Sequence, residues 1–362
     1  MSGGGDGRLE DFEAGRAIEV APARIERELD GLWRAEAARA ERPVTRACLW
    51  NLIVTARGED DFRAAKQLVD DLSTHLPARA IVLHVEDGGG DGLRTFVEAN
   101  WRRFGGGVSG SDEVTLEAHG SAVERLPALV RALVLSDVPT ALFARGALTR
   151  VRTFVDEVDR LIVDSRRFAD ERELAELHAV ARALPRLELA DLAWLGVAPL
   201  RGLAASLFDP PRDPSVLARL DRVEVASGVT GTQSRALLTL GWLASRLEWR
   251  DPKRAPAPDG SRAWRARRPD GGAVEIVLRT HAGASTHGVA ALTLTAGGET
   301  WSLTRDRCIE VCAPDLPVRV QPARRHTDPE LTIAALGPRG RDPVYKDALA
   351  AAVALLDAKD AA

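Results

Sequence analysis

Two periods of apolar positions run through this chain in succession. Residues 22–40 place Ile25, Leu29, Leu32, Trp33 and Ala37 at helical spacing, which predicts an amphipathic helix that Pro43 ends. From there short apolar runs alternate with helical stripes. Cys48–Val54, Ala80–Val85, Glu113–His119, Val138–Phe143 and Arg160–Asp164 read as strands. Asp60–His75, Val123–Leu135, Leu148–Val158 and Ala169–Leu184 read as helices, and the piece containing Trp101, between Gly-rich turns at Asp87–Gly92 and Gly105–Gly110, is left unassigned. Residues 219–249 add one more strand-to-helix unit, whose helix is apolar on two sides and therefore expected between layers.

After 250 the period changes to two. Trp264–Arg268, Val274–Thr280, Val289–Thr295 and Thr300–Arg305 alternate as strands, with turns at Pro269–Gly272 and Gly297-Gly298, and Cys308–Cys312 extends the series. A helix at Tyr345–Leu356 closes the chain. The expected class is α/β: a mostly parallel sheet with helices on both faces, followed by a smaller α+β domain with an antiparallel sheet. The expected division is a tail at 1–20, an N-terminal domain at 21–210 and a C-terminal domain at 211–362, with a Pro-rich linker at 250–261.

Composition narrows the function classes. The 362 residues are 45% hydrophobic and 28% charged with a net charge of −4, so there is material for real cores, and the charge balance disfavours a general nucleic-acid binder. The start Met-Ser-Gly-Gly-Gly has no signal-peptide pattern, and no run approaches a membrane span, so the cytoplasm is expected. Three cysteines, an odd and low count, fit a reducing compartment. Cys308 and Cys312 on one strand would lie about 13 Å apart, beyond disulfide reach.

Catalytic and metal motifs are absent from the sequence. There is no Gly-x-Gly-x-x-Gly, no Walker loop, no His-Glu-x-x-His, no Cys-x-x-Cys and no Gly-x-Ser-x-Gly, so no catalytic residue, cofactor or metal is expected. Two weaker features stay open. Asp164-Ser165 lies at the carboxyl end of a strand, where open α/β sheets bind ligands, or else it caps the next turn. Thr230, Gly231, Thr232, Ser234 and Arg235 at a helix start form an anion site for a sugar phosphate or nucleotide, or else an ordinary cap with Thr232 as the capping residue.

The segment Asp191–Asp209 carries the clearest signal. Pro199 opens a helix, Leu200, Leu203, Ala204 and Leu207 form one stripe, and Pro210-Pro211 stop it. Trp194, Arg201 and Phe208 are the residue types of interface anchors, or else a core with a solvated arginine.

This segment resembles the Asp-Leu-x-Trp…Pro-x-Arg-x-Leu…Leu-Phe-Asp signature of the glucose-6-phosphate dehydrogenase assembly protein family, the OpcA family. Asn51–Val54, His75–Val82, Asp159–Ser165, Ala236–Leu247 and Arg341–Tyr345 resemble that family's other motifs, in order. One departure is Phe143-Ala144-Arg145-Gly146, where the family shows a Trp-Trp pair. The resemblance implies a non-catalytic accessory protein whose partner is glucose-6-phosphate dehydrogenase. It also implies redox control in photosynthetic members, which three cysteines without a close pair do not support here.

Overall fold

In a computed structural model the described residues are 12–13, 15–40, 43–46, 48–86, 90–104, 107–146, 148, 152–209, 214–228, 233–257, 260–281, 288–314, 316–337 and 341–360. The chain forms two compact units: residues 1–163 with 328–337, and residues 164–327 with 338–362.

The first unit is built on nine strands: β1 (Phe12–Glu13), β2 (Ile18–Val20), β3 (Val44–Arg46), β4 (Trp50–Arg57), β5 (Ala78–Glu86), β6 (Gly92–Phe104), β7 (Gly107–His119), β8 (Thr140–Ala144) and β9 (Arg160–Val163). Their main order is β1-β6-β7-β5-β4-β8-β9. The pairs β7–β5, β5–β4, β4–β8 and β8–β9 are parallel, whereas β6 and β7 form an antiparallel hairpin. Leu52-Ile53-Val54 and Ala80–Leu83 are buried on both faces, as continuous apolar runs in a parallel sheet must be. Helix Gly58–Ser73 lies on β4 and β5, and helix Asp328–Leu336 returns to pack on it. Arg160 ties that return by donating to the carbonyls of Ala335 and Gly337 at 2.6 and 2.9 Å.

Around Trp101 the structure shows a thirteen-residue strand where the sequence left the element unassigned. The reason is that β6 buries polar side chains, Thr95, Glu98 and Asn100, among its apolar ones. Within the expected tail, Phe12–Glu13 and Ile18–Val20 form β1 and β2, which pair with β6 along its open edge. Trp33 and Trp101 meet edge to face at 4.7 Å, and Trp33 donates to Asp112 at 2.6 Å. Gly110 permits that pair, because a Cβ there would lie 2.7 Å from both rings.

The second unit holds β10 (Glu188–Asp191) and a sheet of β11 (Arg222–Gly228), β12 (Arg250–Ala255), β13 (Arg262–Arg267), β14 (Ala273–His281), β15 (Val289–Ala296), β16 (Glu299–Arg305), β17 (Cys308–Cys312) and β18 (Arg319–Pro322). Its order is β12-β13-β14-β11-β15-β16-β17-β18, antiparallel except for β11 beside β14. Within the Pro-rich stretch 250–261, β12 is an edge strand, and Pro252 sits at its irregularity between Arg250 and Lys253, where no ladder donor is needed. The helix Ser234–Arg246 is buried along most of its length against helix Pro343–Leu356. Gly241 sets their approach: a Cβ there would lie 2.2 Å from the Ala348 carbonyl oxygen. The three cysteines are free. Among the described residues no helix is long and apolar enough to cross a membrane.

Candidate functional site

Residues from three of the sequence motifs, Ser165, Asp191 with Trp194, and Asp342 with Tyr345, converge in the second unit. Asp191 ends β10 and caps the helix Leu192–Gly196 by accepting from the Ala193 N–H at 2.9 Å. The same carboxylate accepts the Ser165 N–H at 3.1 Å, the Ser165 hydroxyl at 2.7 Å and the Tyr345 hydroxyl at 3.2 Å. Asp191 is fully buried, and desolvation pushes it up to about 6 despite these donors. Burial and the Asp191 charge push the Tyr345 phenol up as well.

Asp342 repeats the arrangement one step outward. It caps helix Pro343–Leu356 through the Tyr345 N–H at 2.9 Å and accepts the Trp194 indole N–H at 2.9 Å. Trp194 is only 2% exposed, so the indole is a core residue. The Arg201 guanidinium lies 3.2 Å from the centre of that ring and donates to the Trp194 carbonyl at 2.7 Å. Burial lowers Arg201 to about 10. Phe208 is 7% exposed and packs on Trp301 at 5.5 Å. Of the three expected anchors, Arg201 alone is half-exposed. Arg201→Ala will therefore lower stability by about 1–3 kcal/mol, from lost stacking and a buried carbonyl left without its donor. Guanidinium-chloride unfolding checks this, and a loss below about 0.5 kcal/mol would show a merely solvated side chain.

The expected anion residues fall differently. Thr230, Gly231 and Thr232 lie outside the described residues. Ser234 is buried and donates to the Ser165 carbonyl at 2.8 Å. Arg235 is held down to about 10, by burial first and then by the Arg166 charge, with Arg305 adding to the effect. It packs so closely that a Cβ on Gly196 or Gly288 would meet it at 2.9 Å. Glu171 accepts the Gln233 N–H at 3.1 Å and pairs with Arg262 at 2.6 Å, so a carboxylate of this chain already sits at the entrance to that helix. Asp164 caps its own turn through the Arg166 N–H at 3.2 Å and pairs with the Arg166 side chain.

The first unit has a cavity of about 540 Å³ near the carboxyl ends of β4 and β5, lined by Thr55, Arg57, Leu83, Val85, Leu126 and Phe154 among others. Doubly wound sheets bind nucleotides at such an edge. Here the helix that follows β4 carries Glu59, Asp60 and Asp61 in its first turn, which repels a pyrophosphate.

The roles of Asp191, Asp342 and Tyr345 were not assigned from sequence, although all three lie inside motifs, and Ser165, read as a strand-end ligand residue or a turn cap, instead donates to Asp191. The available signal was local: an Asp directly before each helix start, at Leu192 and at Pro343.

Residues 187–349 match the family model for the C-terminal domain of the glucose-6-phosphate dehydrogenase subunit, and residues 69–181 match the model for its N-terminal domain. The OxPP cycle protein OpcA of Nostoc punctiforme is 30% identical over 194 residues, 51% of this chain and 40% of that relative. The protein of the same name from Synechocystis is 31% identical over 142 residues, 38% of this chain and 29% of the relative. The matched stretch thus spans two fifths or less of these relatives. A crystal structure of an NAD binding oxidoreductase from Klebsiella pneumoniae superposes with a TM-score of 0.50 at 11% identity, over 86% of this chain and 96% of that one, a likeness of fold alone. The two matched models are the two domains of one family, and this chain belongs to it: the OpcA family of glucose-6-phosphate dehydrogenase assembly proteins.

Proposed function

We propose that this protein binds glucose-6-phosphate dehydrogenase in the cytoplasm and promotes its assembly or activity, and that it catalyses no reaction of its own. Family membership carries the partner. The sealed state of the motif residues supports the absence of catalysis: Asp191, Ser165 and Tyr345 have no exposed surface and Trp194 has 2%, so they offer no reacting atom to a solute. They hold together the scaffold that presents a surface.

The surface that fits a partner best lies on the second unit. The helix Ala198–Ser206 presents Pro199, Gly202 and Leu203 to a groove of about 290 Å³ that Ile309, Gln321 and Pro322 also line. Beside it, the edge strand β18 and its approach expose Val318 and Val320 at 58% and 61%. An open strand edge with large apolar side chains is a natural seat for another chain. A tenfold activation requires about 1.4 kcal/mol of differential affinity for the active state, which a few such contacts supply.

Mixing the purified protein with the dehydrogenase of the same cell will give a larger species by size-exclusion light scattering, a lower KM for glucose 6-phosphate, or both. Val318→Asp with Val320→Asp will weaken the complex about tenfold or more without changing stability. A dehydrogenase unchanged in size and KM would end the accessory reading. A sugar-phosphate binder is the second reading, favoured by Arg235 lying in the field of Arg166 and Arg305. It predicts a thermal shift with glucose 6-phosphate alone that Arg235→Ala abolishes.

A further inference from the structure

A second group of functional side chains lies in the first unit. Strands β5 and β7 are parallel neighbours in a register that places His84 beside Glu117 and Glu86 beside His119. Residues two apart on a strand share a face, so these four side chains form a square of two imidazoles and two carboxylates on one side of the sheet. Glu59, in the first turn of helix Gly58–Ser73, joins them: ligand atoms of Glu59, His84 and Glu86 all lie within 4.8 Å of one another.

His84 is the informative residue. Its ring is 3% exposed and stacks on Phe62 with 4.2 Å between centroids. Neither ring nitrogen has a hydrogen-bond partner. Yet both face carboxylates, Nε2 at 3.5 Å from Glu86 and Nδ1 at 3.8 Å from Glu117. An imidazolium in that position would draw an oxygen in to about 2.8 Å. Two ligands of one tetrahedral zinc, each about 2.1 Å from the ion, sit about 3.4 Å apart. The His84–Glu86 distance matches that value, and so does the 3.3 Å from His119 Nδ1 to the other Glu86 oxygen. Glu117, which also accepts from Arg94 at 3.3 Å, stands where the outer carboxylate behind a metal-bound histidine stands.

We propose that His84, Glu86 and Glu59, with His119 completing the set, bind a divalent transition-metal ion, of which Zn²⁺ is the best match. Two imidazoles favour zinc and its neighbours over magnesium or calcium, which prefer all-oxygen shells. The second acidic group of the unit, Asp70 with Glu98 and Glu113, holds no such site, because the Lys66 ammonium already lies between Glu98 and Glu113. Glu59 is the weakest ligand, since it is shared with Arg63 at 3.1 Å, so its position is the one that a water or an incoming carboxylate can take. The ion would fasten the ends of β5 and β7 to the start of the helix above them.

The test uses the full chain with its three cysteines changed to serine, so that thiols hold no metal. After treatment with EDTA, exposure to excess ZnCl₂ and desalting, elemental analysis will find about one zinc per chain. The thermal midpoint will rise with Zn²⁺ and not with Mg²⁺. Glu86→Gln and His119→Asn alter half-buried side chains and keep the fold, and each will weaken zinc retention about tenfold or more. A chain that retains no zinc, or variants that retain as much as the parent, would overturn the proposal.

Discussion

Asp191→Ala will lower the unfolding free energy by about 4 kcal/mol, the largest loss expected from a single polar substitution in the second unit. The carboxylate accepts four hydrogen bonds, from two backbone N–H groups and two hydroxyls, in a fully buried site. Alanine leaves those donors without an acceptor and without water, and each orphaned donor costs about 1–3 kcal/mol. The donors partly relax, which keeps the sum below simple addition. Tyr345→Phe, which removes one donor together with its need for a partner, will cost about 1 kcal/mol. Urea unfolding reads both as a change in midpoint at constant slope. A change of less than about 1 kcal/mol for Asp191→Ala would mean that the cluster does not hold the second unit together.

Lys66→Met will cost about 3–5 kcal/mol at pH 8. The Lys66 ammonium donates to Glu98 at 2.9 Å and to Glu113, and both carboxylates are buried. Without the ammonium, two buried negative charges face each other uncompensated. Acidity relieves this. Burial already raises Glu113 from its ordinary 4.5 to about 7 in the native chain, against the pull of Lys66. The folded chain therefore holds a proton that the unfolded chain has released. Its contribution is fully present below pH 4.5 and is lost as pH rises through about 7, at up to about 1.4 kcal/mol per pH unit. Removing Lys66 takes away the charge that holds Glu113 down, which raises that carboxyl further and steepens this dependence, so the variant will recover much of its deficit near pH 5. Adding Glu113→Gln will restore part of the stability at pH 8. Unfolding curves at pH 5, 7 and 8 check this, and a small, pH-independent loss would show that the pair is solvated.

The elements most legible in sequence are those whose signal is local. Leu52-Ile53-Val54 and Ala80–Leu83 are apolar on both faces and read as buried strands, which they are. The turns at 269–272 and 297–298 follow from Gly and Asp at positions where glycine takes positive φ: Gly271 at 84°, Gly297 at 58° and Gly298 at 89°. The strand β6 was not legible, because Glu98 and Asn100 are buried among its apolar residues for the sake of partners on other elements. Trp194 was legible as important, with interface anchor and core residue both open in the sequence. Only the Asp342 acceptor, 148 residues away, and the Arg201 guanidinium over its ring show why the indole faces inward.

By itself the sequence determined the fold class, the locally patterned strands and helices and the family, because each is written in neighbouring residues: period two or 3.6, turn chemistry, and motifs a few positions long. The tertiary structure alone decided what the polar residues do. Asp191 meets Tyr345 across 154 positions, Lys66 meets Glu113 across 47, and His84 meets Glu117 only through the parallel register of β5 and β7. The physical reason is that a buried charge or hydrogen-bonding group must find its partner wherever the fold brings one, and that pairing has no period along the chain.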